Sequence, residues 1–154
     1  MCASDFGFIT KKDAIERISK TLKTIENLRK WNGHLYNWYN TKTLEPLIPR
    51  YISSVDSGNF VGYLYTLKSF LEQENQVELV QKVDKIINET DFSKLYSPKQ
   101  RLFSIGFHIE ENKLTDSYYD LLASEARQTS LVAIAKHDVP AKHWASLRKN
   151  INCI

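Results

Sequence analysis

Three charged side chains interrupt an otherwise apolar run between Tyr118 and Ala135: Asp120, Glu125 and Arg127, all within "DLLASEAR". Charged residues are rarely buried without a partner. A carboxylate held among apolar neighbours is therefore either paired structurally or kept for proton transfer. A desolvated carboxyl has a raised pKa, which suits acid–base work and equally describes a neutral structural group. On a helix, steps of three and four residues put Glu125 on one face with Leu121, Gln128 and Val132. Asp120, Ser124 and Arg127 form a second polar strip. For a single glutamate so placed, structural pairing is the commoner role.

Upstream, Tyr36, Trp38, Tyr39 and Tyr51 stand in an aromatic stretch without periodicity. Their rings could stack on sugars or cap a hydrophobic core. Asp56 in "VDSGN" most simply N-caps the helix that follows. His34, His108, His137 and His143 show no ligand spacing, so surface or hydrogen-bonded roles are expected rather than metal binding. No phosphate loop, nucleophile elbow or dinucleotide fingerprint occurs.

The elements that must position these residues read as helices. "TKKDAIERISKTLKTIENLRKW" opens with Thr10 as N-cap and Asp13 three residues on, a capping-box start. Ile15, Ile18, Leu22, Ile25 and Leu28 then form one apolar stripe, and the helix is expected to end near Gly33. From Gly33 to Gly58 periodicity vanishes in "GHLYNWYNTKTLEPLIPRYISSVDSGN". A loop of that length is uncommon and usually functional or disordered; its aromatic content argues for packing or for lining a site. "NFVGYLYTLKSFLEQ" and "VELVQKVDKIIN" resume the helical pattern. "RLFSIGFHIEENKL" suggests a short hairpin around "EEN". The segment 115–138 is apolar around its whole circumference, which predicts a helix buried on nearly all sides. A last helix begins near Pro140. The fold expected is all-α: about five helices, one long aromatic loop and one small β-hairpin.

At 154 residues the chain fits one domain, and 42% hydrophobic with 25% charged residues is an ordinary globular composition. The net charge of +3, from 21 basic against 18 acidic residues, is small and evenly spread, so nucleic acid is not an expected partner. Basic pairs such as Lys11-Lys12 and Arg148-Lys149 fall at helix ends, where solvated charge is the simplest reading. Cys2 and Cys153 carry no metal-ligand spacing and read as reduced cytosolic thiols. No run of about 18 apolar residues exists, so no membrane span is expected. "MCASDFGFITKK" puts its lysines after the apolar stretch, the reverse of a signal peptide.

Three long strings, "GHLYNWYNTKTLEPLIPRYISSVDSGNFVGYL", "DFSKLYSPKQRLFSIGFHIEENKL" and "SYYDLLASEARQTSLVAIAKHDVPAKHW", closely resemble the central glycoamylase-like domain of cyclic β-1,2-glucan synthases. They stand in the family's order and span nearly the whole chain. The resemblance implies part of an (α/α)6 toroid, with residues 1–154 forming a single partial domain, incomplete at both ends. It implies β-1,2-glucan as partner and cyclisation by transglycosylation, with carboxylates in a cleft and neither metal nor organic cofactor. It implies the cytosolic side of a membrane-associated parent.

By the same resemblance, Glu125 in "SEAR" matches a family glutamate expected to be the nucleophile-side carboxylate. Trp38, Tyr39, Asp56, Asp120 and Arg127 are the expected substrate-binding residues. The chain departs from the family in lacking an upstream segment resembling "SPTNIG" and downstream ones resembling "SGTMFEYL" and "GISESAYN", the last bearing the acid/base glutamate. Asn40 stands where an Asp is usual, and the stretch between Leu71 and Asp91 is shorter than in large members. Glycoside chemistry needs two carboxyl groups, so a fragment inactive alone is expected, with a glucan-binding module without catalysis as the alternative. A helix apolar on all sides that few neighbours cover also predicts homo-oligomers.

Overall fold

The computed structural model describes residues 2–120 and 122–147. Leu121, Cys153 and the Arg148-Lys149 pair lie outside them. Six α-helices and two 3₁₀ turns make up about half of the described chain, and the rest includes three small antiparallel sheets. The expected all-α architecture with one hairpin is thus too simple.

After a four-residue helix α1 (Cys2–Asp5), helix α2 spans Lys11–Asn27. Its capping box forms as the sequence predicts: the Thr10 hydroxyl accepts from the Asp13 N–H at 3.1 Å and the Asp13 carboxylate accepts from the Thr10 N–H. Leu22 is buried, with Ile15, Ile18 and Ile25 packed against the core beside it.

The helix stops at Asn27 rather than near Gly33. Strands β1 (Lys30–Trp31) and β2 (His34–Leu35) pair across a two-residue turn at Asn32-Gly33. Both turn residues have positive φ, 47° and 81°, as a hairpin whose twist matches its strands requires. Gly33 is needed for space as well, since a Cβ there would lie 2.1 Å from the Glu89 carbonyl oxygen.

The stretch that follows is not structureless. The Asn40 side chain accepts from the N–H groups of Lys42 and Thr43, folding "NTKTL" back on itself, and Tyr39 pairs with Pro46 in an isolated bridge. Glu110 holds the far end, taking Arg50 Nε at 2.8 Å and the Arg50 N–H at 3.1 Å. Strand β3 (Tyr51–Ser53) comes next, and α3 (Ser54–Gln73) begins four residues earlier than Gly58. The N-cap is Ser53, not Asp56: its hydroxyl accepts from the Asp56 N–H at 3.2 Å, placing Asp56 third in the helix.

Helix α3 is the central element, flanked by α4 (Val77–Glu89) and by α5 (Arg127–Ala135). Val61, Leu64 and Leu71 from α3 meet Val83, Ile86 and Ile87 from α4, Phe92 and Leu95 from the 3₁₀ turn after it, and Val132 and Ala133 from α5. Strand β4 (Tyr96–Ser97) pairs with β5 (Leu102–Phe103). Strand β6 (Gly106–His108) pairs with both β7 (Lys113–Leu114), across the "EEN" turn, and the distant β3.

The expected long buried helix is the largest departure. Residues 115–120, 122 and 123 are not helical, a 3₁₀ turn covers Ser124–Ala126, and the α-helix begins only at Arg127. Leu122 and Leu131 are exposed. Backbone pairing draws Ser117, Tyr118 and Tyr119 onto the β5–β6 connection, because the Ile105 N–H, Ser104 and Phe103 O offer partners there that a helix would forgo. A short helix α6 (Lys142–Ser146) closes the described chain.

Two histidines are core residues. His34 Nε2 lies 2.9 Å from the Asp91 carbonyl, while its Nδ1 finds no partner among the described residues. Burial holds its pKa down at about 4. His143 bridges the Ser130 hydroxyl at 2.8 Å and the Arg101 carbonyl at 2.9 Å.

Candidate functional site

Ser54, the first residue of α3, ties two distant segments to that helix. Its N–H donates to the Ile105 carbonyl (3.1 Å) and its hydroxyl to the Ser104 carbonyl (2.6 Å). Its own carbonyl accepts from the Thr129 hydroxyl of α5 at 2.9 Å. One residue earlier, the Ser53 N–H donates to Asn37 Oδ1 at 3.1 Å. The connection is completed where Ile105 N–H meets Ser117 O and Tyr119 N–H meets Phe103 O, both at 3.0 Å. Small hydroxyls at Ser54, Ser104 and Thr129 are fully buried. Each spends its donor on a carbonyl, so burial leaves none orphaned.

This junction brings Asp56 and Glu125 to one corner. Asp56 is one turn's depth into α3 and exposed. Glu125 sits in the 3₁₀ turn one helical turn before Thr129 and is also exposed, which corrects the expected burial on an apolar helix face. Half-buried Tyr119 feels both charges. Burial raises its phenolic pKa first, and the nearby acidic groups Tyr51, Glu125 and Asp56 raise it further. Tyr119 is therefore held as a neutral hydroxyl that feels the charge of both carboxylates. Tyr51, the third group acting on it, shares a hydrogen bond with Thr115 Oγ1 at 3.0 Å.

The other expected site residues are more scattered. Trp38 is 54% exposed on the aromatic loop. Tyr39 turns inward: its hydroxyl donates to the Arg29 carbonyl at 2.7 Å and accepts from the Tyr36 N–H at 2.9 Å. It supports the loop that presents Trp38. Asp120 spends one carboxylate oxygen on the Leu122 N–H, 2.8 Å away, shaping the chain just ahead of Glu125. Arg127, exposed at the start of α5, lines a separate groove with Tyr65, Gln128, Leu131 and Trp144. The structure thus packs the element of Asp56 against the turn of Glu125 and leaves Arg127 on the separate groove of α5.

Two residues of this corner escape the sequence reading, Asn37 and Tyr119. Neither has a spacing signal. Asn37 matters through its bond to the N-cap backbone sixteen residues on, and Tyr119 through pairing with β5. The arrangement can accept hydroxyl groups on two carboxylates, donate one hydrogen bond from a neutral phenol, and offer an aromatic surface at Trp38. Among the described residues no group of His, Cys, Asp and Glu could hold a metal ion.

No family profile matches the chain. A curated relative, the cyclic β-(1,2)-glucan synthase NdvB of Rhizobium meliloti (strain 1021), is 26% identical over 278 aligned positions that take in 98% of this chain and 10% of the relative. The chain spans about a tenth of that protein's length. Among solved structures, one assigned provisionally as a glucoamylase from Bacteroides fragilis NCTC 9343 superposes with a TM-score of 0.73 at 18% identity. It covers 92% of this chain and 35% of the other, and at that identity the likeness is one of fold. Both agree with the motifs: the chain resembles a glycoamylase-like domain of the kind found in cyclic β-1,2-glucan synthases.

Proposed function

We propose, from this likeness to glycoamylase-like domains, that the chain carries part of a carbohydrate-processing site whose substrate is β-1,2-glucan and whose reaction is glycosyl transfer. The observation that supports it is the corner at Tyr119, where the charges of Asp56 and Glu125, on elements 69 residues apart in sequence, act on one neutral hydroxyl. In this reading Glu125 is the reacting carboxylate. Asp56, Asp120 and Arg127 bind sugar hydroxyls, Trp38 stacks on a ring, and Tyr39 holds the Trp38 loop.

Glycoside chemistry needs one carboxyl to protonate the leaving oxygen and a second to attack or to activate the attacking group. In the family pattern the acid/base glutamate stands in a segment resembling "GISESAYN", which residues 1–154 do not contain. The chain by itself then holds the glucan without turning it over, as one part of a larger helical domain in the cytoplasm. No described helix is long and apolar enough to cross a membrane. The reading assigns no metal or organic cofactor.

A glucan-binding module without catalysis is the second reading, favoured by the exposed indole of Trp38. A titration with β-1,2-glucooligosaccharides, run beside a saccharide-release assay, tests both. Binding without release is expected. Release abolished by both Glu125→Gln and Asp56→Asn would make these two the complete catalytic pair, and absence of binding would overturn the glucan reading.

A further inference from the structure

We propose that a small cavity beside Asp56 is a subsite for a single glucosyl ring; this deepens the glucan reading above and rests on it. The cavity has a volume of about 230 Å³ and is walled by Leu35, Tyr36, Asn37, Asp56, Ser57 and Phe60. Pockets for drug-sized ligands begin at about 300 Å³. This one takes the place of roughly eight waters at liquid density, room for one six-membered ring and not for two.

Its chemistry suits a neutral polyol with an apolar face. Leu35, Tyr36 and Phe60 supply an apolar and aromatic wall, against which the C–H face of a pyranose can lie. The polar groups are few and planar. Asn37 has its Oδ1 engaged by the Ser53 N–H, which fixes the amide and leaves the NH₂ as the end free to donate. Asp56 uses only its backbone N–H in the described hydrogen bonds, so both carboxylate oxygens can accept from adjacent ring hydroxyls. Ser57 is already committed, donating to the Ser53 carbonyl at 2.7 Å. Asp56 as the one charged group disfavours an anion, and the absence of a second carboxylate in the wall disfavours a metal ion.

Asp56 also links the cavity to the reacting carboxylate's surroundings, since α3 packs against the 3₁₀ turn that carries Glu125 and both charges raise the Tyr119 pKa.

The test is a titration of the isotope-labelled chain with β-1,2-linked glucose di- to tetrasaccharides, followed by amide chemical shifts. Saturable changes are expected at Asn37, Asp56, Ser57 and Phe60. Phe60→Leu, which keeps apolar volume and removes the ring, and Asp56→Asn, at an exposed position, should each weaken binding about tenfold with the fold intact. Leu131→Gln, in the separate groove, should not change it. Binding that maps to Trp144 with Asn37, Asp56 and Phe60 unmoved, or that both variants leave unchanged, overturns the subsite and spares the glucan reading. No binding by the unsubstituted chain overturns both.

Discussion

Gly58 of α3 and Thr129 of α5 meet backbone to backbone: a Cβ built at Gly58 would lie 2.4 Å from the Thr129 Cα and 2.0 Å from its hydroxyl oxygen. The approach is what lets Thr129 reach the Ser54 carbonyl and sets Glu125, one turn earlier, against the start of α3. Gly58→Ala should therefore force the helices apart. Overpacking of this kind costs about 1–3 kcal/mol. Urea unfolding should show that loss with the denaturant slope unchanged, and a midpoint equal to the parent's would contradict the packing described.

The two carboxylates at the corner can be read through Tyr119. Negative neighbours raise a phenol's pKa, so removing them must lower it. Glu125→Gln and Asp56→Asn should each shift the Tyr119 titration to lower pH, and the double variant further. Phenolate absorbance or ring chemical shifts against pH would report it. No shift in either variant would separate the two charges from Tyr119 and with it the corner as drawn.

Acid should weaken the fold through its buried histidines. Folded His34 has a pKa near 4 because burial disfavours the charged ring, whereas the unfolded value is about 6.5. Above 6.5 neither state binds the proton. Between 6.5 and 4 only the unfolded state does, so stability falls with falling pH, and below 4 the loss levels off. The full difference is about 3 kcal/mol at one 1.36 kcal/mol step per pH unit. His143, lowered chiefly by burial, acts in the same direction. Unfolding free energy measured from pH 7 to pH 4 should drop accordingly, and His34→Gln should flatten the slope.

Association is expected through the groove of α3, α5 and α6. Leu131 is 62% exposed and Trp144 40%, with Tyr65 on the same groove. Aromatic side chains present about 150–250 Å² each, a substantial share of the roughly 800 Å² per partner of a stable interface. Sedimentation at micromolar concentration should show a dimer or larger species that Leu131→Lys dissociates. A sharp monomer peak without hydrophobic-dye binding is the contrary result.

The elements governed by near neighbours could be read from the residues directly. The capping box of Thr10 and Asp13 and the stripe from Ile15 to Ile25 involve partners three or four residues apart, so spacing alone specifies them. The Asn32-Gly33 hairpin was equally local, and the dipeptide is a direct signal for the positive-φ turn that forms there. The end of α2 was therefore readable even though the apolar period runs past it. Motif strings carried the family likeness without any geometry.

Tertiary structure decided the rest. Whether Tyr118 and Tyr119 continue a helix or pair with β5 depends on carbonyls at Phe103 and Ser104, which no window around "SYYDLL" contains. The same competition exposes Glu125 on a 3₁₀ turn instead of burying it on an apolar face. The corner of Asp56, Tyr119 and Glu125 exists because Ser54 bonds to segments about 50 and 75 residues away. Backbone groups withdrawn from water must find partners wherever the fold supplies them; sequence spacing records the local partners, and only the packed chain reveals the distant ones.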